Sequence, residues 1–81
     1  MVIRDPHSDG ERAFRAFLRD RRKSAGLRQA ELAVRLSVPQ SFVSKYESGE
    51  RLLTFLETLT ILRELGVSVE EVLIHLPTEE K

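Results

Sequence analysis

The sequence contains no cysteine, which excludes disulfides and thiolate chemistry and is compatible with a reducing compartment. No apolar run approaches the ~20 residues that a membrane-spanning helix needs. The N-terminus also lacks the apolar stretch of a signal peptide. We therefore expect a soluble, cytoplasmic protein.

Residues that build catalytic and metal sites are sparse as well. The two histidines, His7 and His75, lie near opposite ends of the chain, without the ligand cluster of a zinc site. No glycine-rich phosphate loop and no carboxylate pair suited to acid–base chemistry is evident. At 81 residues the chain has room for one small domain and little room for a pocket. We expect no enzymatic activity, no metal and no cofactor.

The formal net charge is zero, which at first sight argues against a nucleic-acid partner. The charges are nevertheless unevenly distributed. Residues 10–51 contain ten Lys or Arg against five Asp or Glu, whereas residues 52–81 contain two against six. The asymmetry indicates a basic surface on one side of the molecule, unless these charges merely solvate helix faces.

The pattern of apolar residues is helical throughout, and no strand-like alternation appears. At three predicted helix starts a Ser or Thr is followed three residues later by Glu, the spacing of a capping box: Ser8–Glu11, Thr54–Glu57 and Ser68–Glu71. Gly26, Gly49, Gly66 and Pro77 stand where helices would end. We predict an all-α domain at 10–76, with a flexible arm at 1–9 and a tail at 77–81. Its five helices would run over about 8–25, 28–36, 40–48, 54–65 and 68–76.

The second and third predicted helices are short and are separated by a tight turn at 37–39, which is the layout of a helix-turn-helix over about 28–48. In this motif the second helix inserts its N-terminal residues into the major groove of DNA. Such a helix must be apolar on its inner side and polar at its exposed start. Helix 40–48 meets this requirement, since Val43 and Tyr46 share one face and several polar residues can share another: Gln40, Ser41, Ser44 and Lys45.

Three stretches, in order and at the right separations, resemble the phage-repressor-like (XRE/Cro-type) helix-turn-helix family. They are GLRQAELA at 26–33, VPQSFVSKYESG at 38–49 and LGVSVEEVL at 65–73. The resemblance covers roughly residues 14–76. It implies a compact five-helix, lambda-repressor-like DNA-binding domain in the cytoplasm of a bacterium or phage.

The resemblance also implies roles for individual residues. Gln29 would contact a phosphate and brace Gln40, while Gln40, Ser41, Ser44 and Lys45 would face base edges. Gln40 can pair with adenine, and Lys45 can donate to guanine or merely to a phosphate. The alternative for Gln40 and the two serines is that they are simply solvated residues of an exposed helix.

Four charged residues around the motif receive different roles. Arg28 and Arg51 flank it and are candidate clamps on the DNA backbone. The family often pairs an arginine of the first helix with a glutamate of the third, so the resemblance favours an internal Arg22–Glu47 ion pair over a DNA contact for Arg22.

The sequence also departs from the family pattern. Ser37 stands where the family often has glycine, and Arg28 and Pro39 stand where it often has a Ser or Thr cap, so the turn and the helix starts could close differently. Phe42 replaces a small polar residue, and we expect it to pack against the core, although a thymine methyl or a protein partner are alternatives. The loop after Gly49 has few basic residues, which weakens its case as a phosphate-binding loop.

These expectations converge on a sequence-specific transcriptional regulator, a repressor or autoregulator, that binds double-stranded DNA as a homodimer. The last helix carries more apolar residues than one core-facing stripe needs. It is either the dimer interface, aided by the second half of the fourth helix, or part of the monomer core: Val69, Val72, Leu73, Ile74 and Leu76. The alternative function is an antitoxin-type module that binds a protein partner through the arm or through residues 78–81, with DNA binding secondary.

Overall fold

A computed structural model describes residues 4–77 of the chain. Within these residues the fold is all-α, and the prediction of five helices without a strand is confirmed. The helices are α1 (Asp9–Ser24), α2 (Gln29–Leu36), α3 (Gln40–Ser48), α4 (Phe55–Leu65) and α5 (Val69–His75). None of the helices in this part of the chain is long and apolar enough to cross a membrane. The first three residues of the predicted arm, and the predicted tail beyond Pro77, lie outside the described residues.

The helix starts follow the capping pattern of the sequence. In three helices the hydroxyl of a Ser or Thr accepts a hydrogen bond from the backbone N–H three residues later: Ser8 from Glu11 at 3.2 Å, Thr54 from Glu57 at 3.1 Å, and Ser68 from Glu71 at 3.2 Å. At α2 the Arg28 side chain provides no cap. There the Glu31 carboxylate accepts from the Arg28 N–H at 2.8 Å and so satisfies the donor that precedes the helix.

The turn between α2 and α3 has left-handed backbone at Ser37, with φ 59° and ψ 43°. This conformation allows the N–H groups of Ser37 and Val38 to bond back to the carbonyls of Val34 and Ala33, at 3.1 and 3.0 Å. The turn therefore has the conformation expected with glycine at this position, although a residue with a Cβ adopts left-handed backbone only with some steric strain. Pro39 then stands in extended backbone immediately before α3.

The core joins all five helices. α2 packs against α3 and α4, and α1 packs against α3 and α5. The largest side chains that are completely buried come from four of the helices: Tyr46, Leu18, Leu32, Ile61 and Val43. Burial raises the pKa of the Tyr46 phenol above its ordinary value, so this side chain stays neutral. Since Val43 and Tyr46 hold the inner side of α3, the polar side of that helix is directed outward.

The described part of the predicted arm lies against the domain. The Arg4 guanidinium donates to both carboxylate oxygens of Glu11, at 2.9 and 3.3 Å, and to the Leu53 carbonyl. These bonds connect residue 4 to the first turn of α1 and to the segment before α4.

Candidate nucleic-acid interface

From its first residue to Lys45 in its last turn, α3 presents a polar surface to solvent. Gln40, Ser41 and Lys45 are exposed, and Ser44 is half-buried. The Ser44 hydroxyl donates to the Ser41 carbonyl at 3.2 Å, so it is held against its own helix. Gln40 and Ser44 are four residues apart, as are Ser41 and Lys45, which places these residues on adjacent rows of the helix surface. The structure thus brings the four predicted base-reading residues together on one exposed side of one helix.

Near its C-terminal end, α3 is fixed by an ion pair that is nearly inaccessible to solvent. The Arg22 guanidinium donates to both oxygens of Glu47, at 2.8 and 3.1 Å, and the exposed fractions of the two side chains are 8% and 3%. Arg22 also donates to the Leu27 carbonyl at 2.8 Å. One guanidinium therefore links α1, the connection before α2, and α3 with geometry of the strong, bidentate kind.

Gln29 belongs to the same cluster. Its Nε2 donates to Oε1 of Glu47 at 2.9 Å. The expected bracing contact with Gln40 is not among the hydrogen bonds of residues 4–77. The amide nitrogen of Gln29 still has a second hydrogen, and its backbone N–H at the first turn of α2 has no partner within the helix. A phosphate can therefore be bound here while Gln29 remains on Glu47.

The two arginines expected to clamp the DNA backbone lie in different environments. The Arg28 side chain is 82% exposed and makes a 3.3 Å contact with Glu31. Hydrogen bonds from Arg28 hold the pKa of the Glu31 carboxyl below its ordinary value, its backbone N–H contributing most. Because the Arg28 side chain is so exposed, its guanidinium is free to move to a phosphate.

Arg51 is instead engaged within the protein. Its Nη1 and Nη2 donate to the two oxygens of Glu57, each at 2.8 Å, and its guanidinium lies 4.6 Å from the centre of the Phe42 ring. This pairing lowers the pKa of Glu57 and raises the pKa of Arg51. Phe42 also meets Tyr46 edge-on, with ring centres 5.8 Å apart. Phe42 thus packs as expected, and the contacts of Arg51 brace the loop between α3 and α4.

Comparison with known proteins agrees with this geometry. The family model described as "Helix-turn-helix domain" matches residues 13–73. A solved structure titled "XRE-family like protein from Pseudomonas syringae pv. tomato str. DC3000" is 41% identical, with a TM-score of 0.73 over 79% of this chain and 78% of that chain. No curated protein matches the sequence. The chain belongs to the XRE family of helix-turn-helix regulators.

This XRE-family protein is accordingly a DNA-binding regulator, with α2 and α3 as its helix-turn-helix. In the second helix of the motif, Gln40 and Ser41 are exposed in the first turn and Lys45 is exposed in the last turn.

The candidate dimer residues of the XRE-family chain fall into two groups. Val72 is 6% exposed and lies in the core, and Leu76 is partly buried against it, so these two residues fit the second alternative for the last helix, that of closing the monomer core. Val69, Leu73 and Ile74 are 43%, 64% and 77% exposed. Since α5 must pack against α1, its inner residues are used within the monomer and only its outer side remains accessible.

The fourth helix was expected to aid a dimer interface through its second half. In its second half Ile61 and Leu62 are buried in the core. The exposed apolar residues of α4 are in its first turn, where Phe55 and Leu56 are 72% and 73% exposed. Phe55 borders an open groove of about 520 Å³ whose wall includes Leu76 from the end of α5. The start of α4 and the end of α5 thus border the same groove.

Most of the basic residues of α1 have no role that the sequence predicts. Two of them, Arg19 and Lys23, line an open cleft of about 340 Å³ together with Ser44 and Ser48 of α3. Their helical spacing was visible in the sequence. Their position beside the second helix of the motif depends on the way α1 packs against α3.

Proposed function

We propose that the protein is a sequence-specific repressor or autoregulator of transcription that binds DNA as a homodimer and reads the major groove with α3. The observation that carries this proposal is the contrast between the two sides of α3. Its inner side is locked by Val43, Tyr46 and the Arg22–Glu47 pair, while its polar start is exposed. A reading helix held in one position can present donors and acceptors to base edges without an ordering cost on binding.

Gln40 is the principal base-reading residue of the proposal. Its exposed amide has the donor and acceptor that match N7 and N6 of adenine, and a good bidentate contact of this kind discriminates by ~1–3 kcal/mol. Lys45, one turn further along, donates to guanine or to a phosphate. Ser41 and Ser44 lie between them and add shorter-range contacts. Gln29 and Arg28 bind the adjacent phosphates, which position the protein without specifying sequence.

One such domain contacts only a few base pairs, and a homodimer contacts a DNA sequence about twice as long. Helix-turn-helix dimers bind half-sites about 34 Å apart, one turn of DNA. The exposed apolar residues at the start of α4 and on the outer side of α5 are the surface that a second copy would cover: Phe55, Leu56, Leu73 and Ile74. A dimer of this kind that is bound to a promoter prevents the transcription machinery from using that site, and it therefore acts as a repressor.

The test is selection from a randomised DNA duplex pool with the wild type, Gln40→Ala, Lys45→Ala and a control, Thr60→Ala, which alters an exposed residue of α4. We expect the wild type and Thr60→Ala to select one palindromic sequence. Gln40→Ala should lose preference at one position of each half-site, and circular dichroism should show that it is folded. If both α3 variants select the wild-type sequence with unchanged preference, α3 does not read the DNA.

A further inference from the structure

Four basic residues of α1 form a row along the side of that helix next to α3. Arg12, Arg15, Arg19 and Lys23 follow one another at intervals of three, four and four residues, which places them on one face of the helix. We call these four residues the α1 row. Three of the four are exposed, and Arg15 is half-buried.

Three observations place the row beside α3. A Cβ added to Gly49, the residue that ends α3, would lie 2.9 Å from Cζ of Arg15, so that guanidinium covers the end of the helix. Arg12, Arg15 and Arg19 line one open cleft that Glu47 of α3 also borders. Arg19 and Lys23 line the next cleft with Ser44 and Ser48. The row therefore runs alongside the proposed reading helix.

The charges of the row are not neutralised within residues 4–77. None of the five ion pairs found there includes a member of the row. Glu47, the carboxylate that borders it, already accepts from Arg22 and Gln29. Four neighbouring cations on one face repel each other, and a polyanion placed along them removes that repulsion.

We infer that the α1 row binds phosphates of the DNA strand that borders the major groove entered by α3. This inference rests on the proposed function and adds contacts of α1 with the DNA backbone to those of Gln29 and Arg28. It also explains how the protein holds DNA although the loop after α3 is a poor phosphate-binding segment. In that loop Glu50 is acidic, and Arg51 is paired with Glu57 and stacked on Phe42.

The test measures the salt dependence of binding to the selected duplex. The test variant combines Arg12→Gln, Arg19→Gln and Lys23→Gln, and it leaves Arg15 in place because that side chain packs on Gly49. The control removes the same number of positive charges elsewhere, as Arg21→Gln, Arg35→Gln and Arg63→Gln. Of these, Arg21 makes a 3.4 Å contact with Glu71, on the side of α1 that packs on α5, and both side chains are 41% exposed. Such an exposed pair contributes little to folding.

Each phosphate contact contributes about 0.9 to the slope of log K against log salt concentration. We expect the slope of the test variant to be shallower than the wild-type slope by about 3, and that of the control to change much less. Because phosphate contacts carry no sequence information, the sequence selected from a random pool should stay the same.

Different outcomes overturn different statements. A test variant that keeps the wild-type slope, or that loses no more slope than the control, overturns the role of the row and leaves the proposed function standing. A changed sequence preference in the test variant means that the row reads bases, which also overturns the inference. A wild type that binds no duplex overturns the proposed function itself, and the role of the row with it.

Discussion

Glu47 receives two hydrogen bonds from the guanidinium of Arg22, at 2.8 and 3.1 Å, in a contact that leaves less than a tenth of either side chain exposed. The Nε2 of Gln29 adds a third bond to the same carboxylate at 2.9 Å. The pair joins the first and third helices, and through Gln29 it reaches the start of the second. One buried carboxylate thus links the first three helices and helps to hold the helix-turn-helix motif in position.

Replacing one partner of this pair should lower the free energy of unfolding far more than replacing both. We expect Arg22→Met to lower the free energy of unfolding by about 3–5 kcal/mol, because Glu47 is left buried and uncompensated. The double variant Arg22→Met with Glu47→Leu should recover most of that loss. Urea unfolding followed by circular dichroism measures both. Arg28→Met, at an 82% exposed side chain, is the control and should leave the unfolding midpoint unchanged. If the double variant is as unstable as the single one, the stability is lost because packing is disturbed and not because a buried charge is left without its partner.

The left-handed backbone at Ser37 predicts a stabilising substitution. Ser37→Gly should raise the free energy of unfolding by about 1 kcal/mol, since glycine adopts φ 59° without the steric cost of a Cβ. Ala30→Gly is the matched control in the exposed part of α2, where the same residue type should be destabilising by about 1 kcal/mol. Thermal unfolding of the two variants beside the wild type gives the sign of each effect. Equal destabilisation by both would mean that the turn at Ser37 stores no strain.

The Arg51–Glu57 pair should make stability fall in acid. The hydrogen bond from Arg51 is the largest cause of the lowered pKa of Glu57, followed by the one from the Thr54 N–H. A lowered pKa contributes stability that is complete above the ordinary carboxyl pKa, about 4.3, and is lost as the pH falls through the lowered value. We expect the urea midpoint of the wild type to exceed that of Glu57→Gln at pH 7 and to approach it between about pH 5 and pH 3.

The control for this titration is Glu64→Gln, which alters an exposed carboxylate of the same helix that makes no ion pair within residues 4–77. Its midpoint should follow the wild type at every pH. A constant gap between Glu57→Gln and the wild type down to pH 3 would show that the Glu57 charge contributes nothing to folding.

The sequence was informative wherever a local pattern decides the structure. Ser8, Thr54 and Ser68 cap their helices because capping needs only residues three apart. The inner side of α3 was equally predictable, since Val43 and Tyr46 share one face and the helix is long enough for a period to show.

The remaining features depend on contacts that the chain makes only after it folds. Arg51 lies against Glu57 and Phe42 because the loop between α3 and α4 turns back, which no spacing rule specifies. α5 has seven residues, too few for periodicity to separate Val72, which is buried, from Ile74, which is exposed. The packing of α1 against α5 determines which side of α5 is buried.

The exposed apolar surface at the start of α4 and the outer side of α5 gives the last prediction. Ile74 is 77% exposed, and a glutamate in its place would put a charge in a surface that a second copy must dehydrate. Light scattering at tens of micromolar should find the wild type dimeric and Ile74→Glu monomeric. Val34→Glu is the control, because Val34 is 78% exposed but lies on α2, away from that surface, so this variant should remain dimeric. A monomeric wild type, or loss of the dimer in the control alone, would assign the surface to something other than a second copy of this chain.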